Sequence, residues 1–164
     1  MLSRLVPVAL TLLLAACATP QSLKPGTPIA DARAALGRPT AEIQLPAGGL
    51  RLQYSGQPSS QSAWNADFDA QGRLQNVRQM MSDDAFRQIS AGKDAKDDVL
   101  REFGPPAYVW QFPLQNETAF MYRYYTHGGF PAAMYVYFDP AGVVKRTETG
   151  MDPWLIQDGG GDRN

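Results

Sequence analysis

Residues 50–72 read LRLQYSGQPSSQSAWNADFDAQG, and residues 120–142 read FMYRYYTHGGFPAAMYVYFDPAG. The second stretch repeats the first without a gap, and both end in the pattern Phe-Asp-x-x-Gly. Apolar residues at every second position predict β-strands. The closing pattern predicts a hairpin turn, since the Asp side chain accepts hydrogen bonds from the turn and Gly adopts positive φ. The chain therefore contains two copies of one antiparallel unit.

A short helix is predicted ahead of each hairpin, opened by Gly26 in the first copy and by Gly92 in the second. Its apolar residues recur at spacings of three and four, as on one face of a helix. These residues are Ile29, Ala32 and Leu36 in the first copy and Ala95, Val99 and Phe103 in the second. Gly37 and Gly104, with Pro39 and Pro105 close behind them, end the helices. We expect an α+β fold of two tandem repeats, each with short helices packed on a three- to four-stranded antiparallel sheet.

The length and composition limit what such a chain can do. It has 164 residues, 15 basic and 16 acidic side chains, one His and one Cys, with a formal net charge of −1. A nucleic-acid-binding protein needs a basic surface, so this class is disfavoured. One Cys excludes a disulfide framework, a zinc ribbon and an iron–sulfur centre. No metal site and no cofactor are expected.

The first residues read MLSRLVPVALTLLLAAC, a basic start followed by an apolar run that is shorter than a membrane span. The end of this run, Leu14 to Cys17, resembles a bacterial lipobox. The resemblance implies cleavage before Cys17, lipidation of Cys17, and anchoring in the outer membrane with the protein facing the periplasm. An ordinary secretory signal with a coincidental Cys is the alternative.

The predicted organisation has five parts. Ser82 is a good N-cap for a short linker helix that packs through Phe86 and Ile89. The parts are a signal peptide at 1–16, a tether at 17–25, a first repeat at 26–81, a second repeat at 82–156, and a disordered tail at 157–164.

The order of Gly, Gly-x-Pro, aromatic strand and Phe-Asp-x-x-Gly, behind a lipobox, resembles the SmpA/OmlA (BamE-like) family of outer membrane lipoproteins. The resemblance covers roughly residues 24–80 and again 83–149. It implies a non-catalytic adaptor in outer membrane protein assembly or envelope integrity. The partner that it implies is a protein, with the β-barrel assembly machine as the expected one.

Two tandem copies are also similar to the beta-lactamase inhibitor protein, in which paired helix-and-sheet units grip a partner. This second resemblance implies an alternative function. The chain would then be a periplasmic, inhibitor-like binder of an enzyme.

Comparison of the two copies suggests where a partner binds. In the first copy, the sheet face turned away from the helix is predicted to be an ordinary polar surface formed by Glu42, Gln44, Arg51, Gln53, Asn65 and Asp67. In the second copy, we predict that the corresponding face consists of Val109, Gln111, Met121, Arg123, Tyr135 and Tyr137, with Tyr125 at its end. Aromatic residues, Met and Arg are enriched at interfaces. The partner-binding hypothesis therefore rests on Val109, Met121, Arg123, Tyr125, Tyr135 and Tyr137. The alternative is that the linker, the other copy or the segment around Trp154 covers this face, with Trp154 serving as a plug.

No catalytic constellation is recognisable. His127 stands in a Gly- and Pro-rich loop, and neither a Gly-x-Ser-x-Gly motif nor a free thiol provides a nucleophile. Asp67, Asp69 and Gly72 resemble the start of a calcium loop but lack its later acidic ligand. We therefore expect no enzymatic activity and no small-molecule substrate.

Overall fold

A computed structural model of the protein describes residues 19–157. The predicted signal peptide, Cys17 and tail residues 158–164 lie outside the described residues. The helices are α1 (Ile29–Leu36), α2 (Asp83–Phe86), α3 (Lys96–Phe103) and α4 (Trp154–Gln157). The strands are β1 (Ala41–Gln44), β2 (Leu50–Ser55), β3 (Ala63–Phe68), β4 (Leu74–Gln79), β5 (Tyr108–Phe112), β6 (Glu117–Tyr125), β7 (Pro131–Phe138) and β8 (Val144–Met151).

The strands form two four-stranded antiparallel sheets. Sheet 1 has the order β1-β2-β3-β4, and sheet 2 has the order β5-β6-β7-β8. Each strand pairs with its neighbours in sequence, so every sheet is a simple meander. This architecture confirms the predicted α+β class, and it is consistent with two tandem units.

The repeated turns have the same geometry in both units. In the first, the amide of Gly72 donates to the carbonyl of Asp69, and in the second, Gly142 donates to Asp139, both at 2.9 Å. Both glycines have positive φ, 70° and 81°. Gly37 and Gly104, which end α1 and α3, also have positive φ. The predicted hairpins and helix ends are thus confirmed.

Each sheet carries its own apolar core. On sheet 1, Ala32 of α1 packs with Leu52, Ala66 and Phe68. Sheet 2 has a larger core, in which Phe86 of α2 stacks on Phe103 of α3 with ring centroids 5.0 Å apart. Ser82 caps α2, because its hydroxyl accepts a hydrogen bond from the amide of Ala85, and Ile89 packs on the same core. The predicted linker helix and its contacts are confirmed.

The prediction of a tether at 17–25 is wrong for the residues that the structure describes. Pro20–Ser22 form a 3₁₀ turn, and Leu23 packs against the core of sheet 1. The amide of Gly26 donates to the carbonyl of Leu74 at 2.7 Å. Residues 20–26 therefore belong to the packed part of the first unit, because an apolar side chain gains more from packing than from solvent exposure.

The supposed polar surface of sheet 1 is buried against the second unit. Arg51, Gln53, Asn65 and Asp67 are all buried. Gln53 donates to the carbonyl of Arg101 at 3.3 Å, and Asn65 donates to the carbonyl of Glu102 at 2.8 Å. The last carbonyls of a helix have no partner within it. The polar side chains of sheet 1 donate hydrogen bonds to the last carbonyl groups of α3. The polar residues of this face therefore mark an interface between the units.

An ion-pair network reinforces this interface. The Arg51 guanidinium donates to Asp67 at 2.6 Å and to Glu102 of α3 at 2.8 Å. Burial opposes ionisation of Arg51, but the hydrogen bonds to Asp67 and Glu102 outweigh it and raise the pKa of this side chain. A cation is also favoured at the C-terminal end of a helix dipole. The network therefore fixes sheet 1 against the end of α3.

The first strand of each sheet lies one position away from its predicted register. Val109 pairs with Phe120, so it lies on the helix side of sheet 2, whereas Tyr108 and Trp110 lie on the opposite side. In sheet 1, Glu42 and Gln44 likewise pair with Leu52 and Leu50 on the α1 side. The turn between the first and second strands sets how these two strands pair. A shift of one residue in this pairing moves every side chain of the first strand to the other face of the sheet.

Candidate partner-binding face

The side of sheet 2 turned away from α2 and α3 carries a continuous array of aromatic rings. We call it the aromatic face. The pairings of β5 with β6 and of β6 with β7 place its rings on the same side of the sheet. Its members are Tyr108, Trp110, Phe112, Tyr135 and Tyr137, with Tyr125 at one end. The sequence predicted Tyr125, Tyr135 and Tyr137 as part of this face but not the three aromatic residues of β5, because that strand was expected one residue out of register.

The rings contact each other across neighbouring strands. Tyr135 and Tyr137 lie 6.4 Å apart in a stacked arrangement, and Phe112 lies 5.9 Å from Tyr137. Tyr108 and Trp110 are 6.4 Å apart and retain 40% and 46% of their exposure. Partial burial raises the pKa values of Tyr135 and Tyr137, and nearby carboxylates act in the same direction. These hydroxyls are therefore hydrogen-bond donors at neutral pH.

One margin of the aromatic face is charged. The Arg146 guanidinium lies 3.7 Å from the centre of the Tyr137 ring, in a cation–π contact. The same side chain donates to Glu117 at 2.7 Å, and Lys145 donates to Glu117 at 2.6 Å. These two hydrogen bonds lower the pKa of Glu117. Arg146 also donates to Glu148 at 2.7 Å, so a partner that packs on the rings would meet an ion-paired guanidinium at this margin.

The other end of the predicted face is covered by the chain itself. Met121 is fully buried and Arg123 is 6% exposed. The Arg123 guanidinium donates to both oxygens of Asp152, at 3.0 and 2.9 Å, and to the carbonyl of Pro58 at 2.6 Å. Trp154 covers it, with the guanidinium 3.9 Å from the ring centre. We call this cluster of Pro58, Arg123, Asp152 and Trp154 the latch.

Three of the six residues predicted to bind a partner are not available on the aromatic face. Val109 lies on the opposite side of the sheet, and Met121 and Arg123 are inaccessible to a partner. Tyr125, Tyr135 and Tyr137 remain on the aromatic face, and Tyr125 is 51% exposed. Trp154 acts as the predicted plug, and its indole N–H donates to the Tyr108 hydroxyl at 3.0 Å. Arg123 is covered because its guanidinium pairs with the Asp152 carboxylate. Asp152 follows β8, the strand at the other edge of the sheet, so the chain reaches across β7 to make this ion pair.

The loop between β2 and β3 joins the two units at the latch. The Gln57 side chain donates to the carbonyl of Arg123 at 2.7 Å and accepts from its amide at 3.1 Å. The Gln57 side-chain amide thus forms two hydrogen bonds with the backbone of β6, at a position where β5 no longer pairs with it. Gln61 also donates to Asp152 at 3.3 Å. Since both units contribute to it, the latch holds the aromatic face rigid relative to sheet 1.

His127 takes part in a second cluster, beside α2. The Asp83 carboxylate accepts from the amide of His127 at 2.7 Å and from the Tyr124 hydroxyl at 2.9 Å. The hydrogen bond from the His127 amide, together with the hydroxyl, lowers the pKa of Asp83. The His127 ring lies 3.2 Å from Asp84 and is mostly exposed. This arrangement ties the β6–β7 loop to α2.

Within residues 19–157, no group of three or more His, Cys, Asp or Glu side chains is arranged to hold a metal ion. Over the same described part of the chain, no helix has both the length and the apolar character needed to cross a membrane.

Comparison with known proteins does not assign a family. No protein-family profile matches the chain, and no curated protein matches it. Among solved structures, a crystal structure of a DUF4309 family protein, YjgB, from Bacillus subtilis subsp. subtilis str. 168 is similar. It is 15% identical, the match covers 75% of this chain and 77% of that chain, and the TM-score is 0.32. A likeness of this degree does not assign a function.

Proposed function

We propose that this chain is a non-catalytic lipoprotein of the bacterial outer membrane that faces the periplasm and binds a protein partner. In this proposal, lipid on Cys17 holds the protein at the membrane, and the aromatic face of sheet 2 holds the partner. The expected partner is the β-barrel assembly machine, and the expected role is that of an adaptor in outer membrane assembly or envelope integrity. The proposal includes no cofactor other than the covalent lipid.

The aromatic face is the observation that carries the proposal. Partly exposed Tyr and Trp rings on adjacent strands offer apolar area, and their polar tips remain available for hydrogen bonds. Exposed apolar patches on soluble domains commonly mark interaction sites. Arg146, Glu117 and Glu148 add polar groups at the margin. Together these groups favour recognition of another protein over turnover of a small molecule.

Rigidity supports the same interpretation. The face lies on four hydrogen-bonded strands, and the latch fixes one end of it to sheet 1. A preformed surface loses little conformational entropy on binding. Lipid attachment would add to the apparent affinity by raising the local concentration at the membrane.

Photo-crosslinking in cells tests the proposal. A photoreactive phenylalanine analogue would replace Tyr137 on the aromatic face, with Thr147 as the matched control. Thr147 is an exposed residue of the same sheet that pairs with Val136, on the opposite side. We expect Tyr137 to give adducts with proteins of the β-barrel assembly machine and Thr147 to give none. A single soluble enzyme as the adduct would instead support the inhibitor-like alternative. Equal adducts from both positions would refute a role for the aromatic face.

A further inference from the structure

The four outer edges of the two sheets differ in how they are protected against pairing with another strand. Charged side chains on an edge strand discourage such pairing. β1 carries Glu42, β4 carries Arg78, and β8 carries Lys145, Arg146 and Glu148. β5, with the sequence YVWQF, carries no charge, and the whole stretch from Gly104 to Asn116 is also uncharged. β5 is therefore the unprotected edge.

The outer edge of β5 is also open. Within residues 19–157, β5 pairs with β6 and with no other strand. Tyr108, Val109 and Trp110 are all exposed, although they alternate between the two sides of the sheet. Short segments with high β-propensity, low charge and no proline readily pair with another strand. Pro106 and Pro113 limit this segment to its five residues.

We infer that the edge of β5 binds β5 of a second copy of this chain, in antiparallel register about a two-fold axis through Trp110. Trp110 would lie opposite Trp110 of the second copy, and each Tyr108 opposite a Phe112. Paired residues share a face, so all three aromatic positions would extend the aromatic face across the dimer. Aromatic pairs opposite each other stabilise adjacent strands. The two sheets would then form one continuous sheet of eight strands.

Charge favours a second copy as the occupant. In antiparallel pairing, the uncharged residues before β5 meet the uncharged residues after it, so no charge is buried without a partner. Val109 lies opposite Gln111 on the other side of the sheet, again without a charge. Five residue pairs make a contact smaller than that of a standard stable complex, so we expect a weak dimer. This inference is separate from the partner proposed for the aromatic face, because it concerns the edge of the sheet.

Disulfide trapping of the full-length protein in isolated membranes tests the register. The two Cα atoms of a directly opposite antiparallel pair are about 4.5–5.5 Å apart, which suits a disulfide. Trp110→Cys is therefore expected to give a dimer band on a non-reducing gel. Val109→Cys alone is expected to give several-fold less, because position 109 lies opposite 111. Co-expressed Val109→Cys and Gln111→Cys variants should restore the band. The unsubstituted chain controls for any reaction of Cys17.

The outcomes separate this inference from the proposed function. Failure of Trp110→Cys and of the mixed Val109→Cys and Gln111→Cys variants to form dimers would overturn the inference, whatever the partner crosslinks at Tyr137 show. Equal trapping of Val109→Cys and Trp110→Cys would indicate collision without register and would also overturn it. An oxidant added to the membranes drives trapping, so the result does not depend on the cell compartment.

A charge exchange provides a second, independent measurement. Trp110→Lys places two like charges opposite each other across the dimer and is expected to abolish trapping through the Val109→Cys and Gln111→Cys pair. Combining Trp110→Lys on one chain with Trp110→Glu on the other should restore it. Phe130→Lys is the matched control, since Phe130 is an exposed apolar residue between β6 and β7, outside β5 and its uncharged flanks. Loss of trapping by this control, or no rescue by the opposite charges, would contradict the proposed register.

Discussion

Removal of the Asp152 carboxylate tests the latch most directly. Asp152→Ala leaves the Arg123 guanidinium, which is 6% exposed, without its counter-charge. It also removes the acceptor for Gln61 and for the amide of Trp154. Breaking a buried ion pair by removing one partner costs about 3–5 kcal/mol. For a chain of this size, we expect the midpoint of thermal unfolding to fall by roughly 10 °C.

Urea and thermal unfolding, followed by circular dichroism, would measure the loss. Glu148→Ala is the control, because it removes an ion pair with Arg146 that is about half exposed. Such surface pairs contribute about 0–1 kcal/mol. Arg123→Met combined with Asp152→Ala removes both charges and should recover about half of the loss or more. If Asp152→Ala unfolds within about 1 kcal/mol of the unsubstituted chain, the latch does not stabilise the fold as argued.

Three further predictions concern the ends of α1 and α3, the Asp83 cluster and the proposed lipid anchor. Gly37→Ala and Gly104→Ala should each lower the unfolding free energy by about 1–3 kcal/mol, because both positions have positive φ. Gly104→Ala should cost more, since its added methyl group would lie 3.1 Å from the Gln53 side chain, whereas that of Gly37 would meet no atom within 4 Å. Equal losses in urea unfolding would contradict the packing of the two units. Asp83→Ala should destabilise the chain at neutral pH. Because folding lowers the pKa of Asp83, its contribution to stability is present above its ordinary pKa and is lost as the pH falls through the lowered value. If the difference in unfolding free energy between Asp83→Ala and the unsubstituted chain is the same at neutral and at strongly acidic pH, the assignment is refuted. Cys17→Ser should move the protein from the membrane fraction to the soluble fraction or leave its precursor uncleaved, with loss of the lipid mass by mass spectrometry, and an unchanged mass and distribution would refute lipid attachment at Cys17.

The repeated local features of this fold could be predicted from the sequence. The Phe-Asp-x-x-Gly turns, the glycines that end α1 and α3, and the Ser82 cap each depend on residues within a few positions of one another. Their physical cause is backbone geometry, which a short sequence pattern specifies. Leu52 and Phe68 lie in the core of sheet 1, on the side of each strand that the alternation of apolar residues marks as buried.

The candidate site was only partly predictable. Tyr135 and Tyr137 follow from the alternation in β7, but Tyr108 and Trp110 depend on the register between β5 and β6. The first strand of sheet 1 departs from its expected register by the same one position, so in both units the pairing with the second strand decides which side faces the helices. No pattern within β5 itself indicates which of its two sides faces the helices, because both sides carry apolar residues.

The sequence by itself determined the two α+β units, their turns and the apolar side of each main strand, since these depend on local spacing. Only the tertiary structure decided which polar residues are buried. Arg51, Gln53 and Asn65 resemble a solvent-exposed surface until the end of α3 brings carbonyl groups to them. Arg123 resembles an interface residue until Pro58, Asp152 and Trp154 surround it. A polar side chain can be satisfied by water or by a distant part of the chain, and the residue type alone does not distinguish the two.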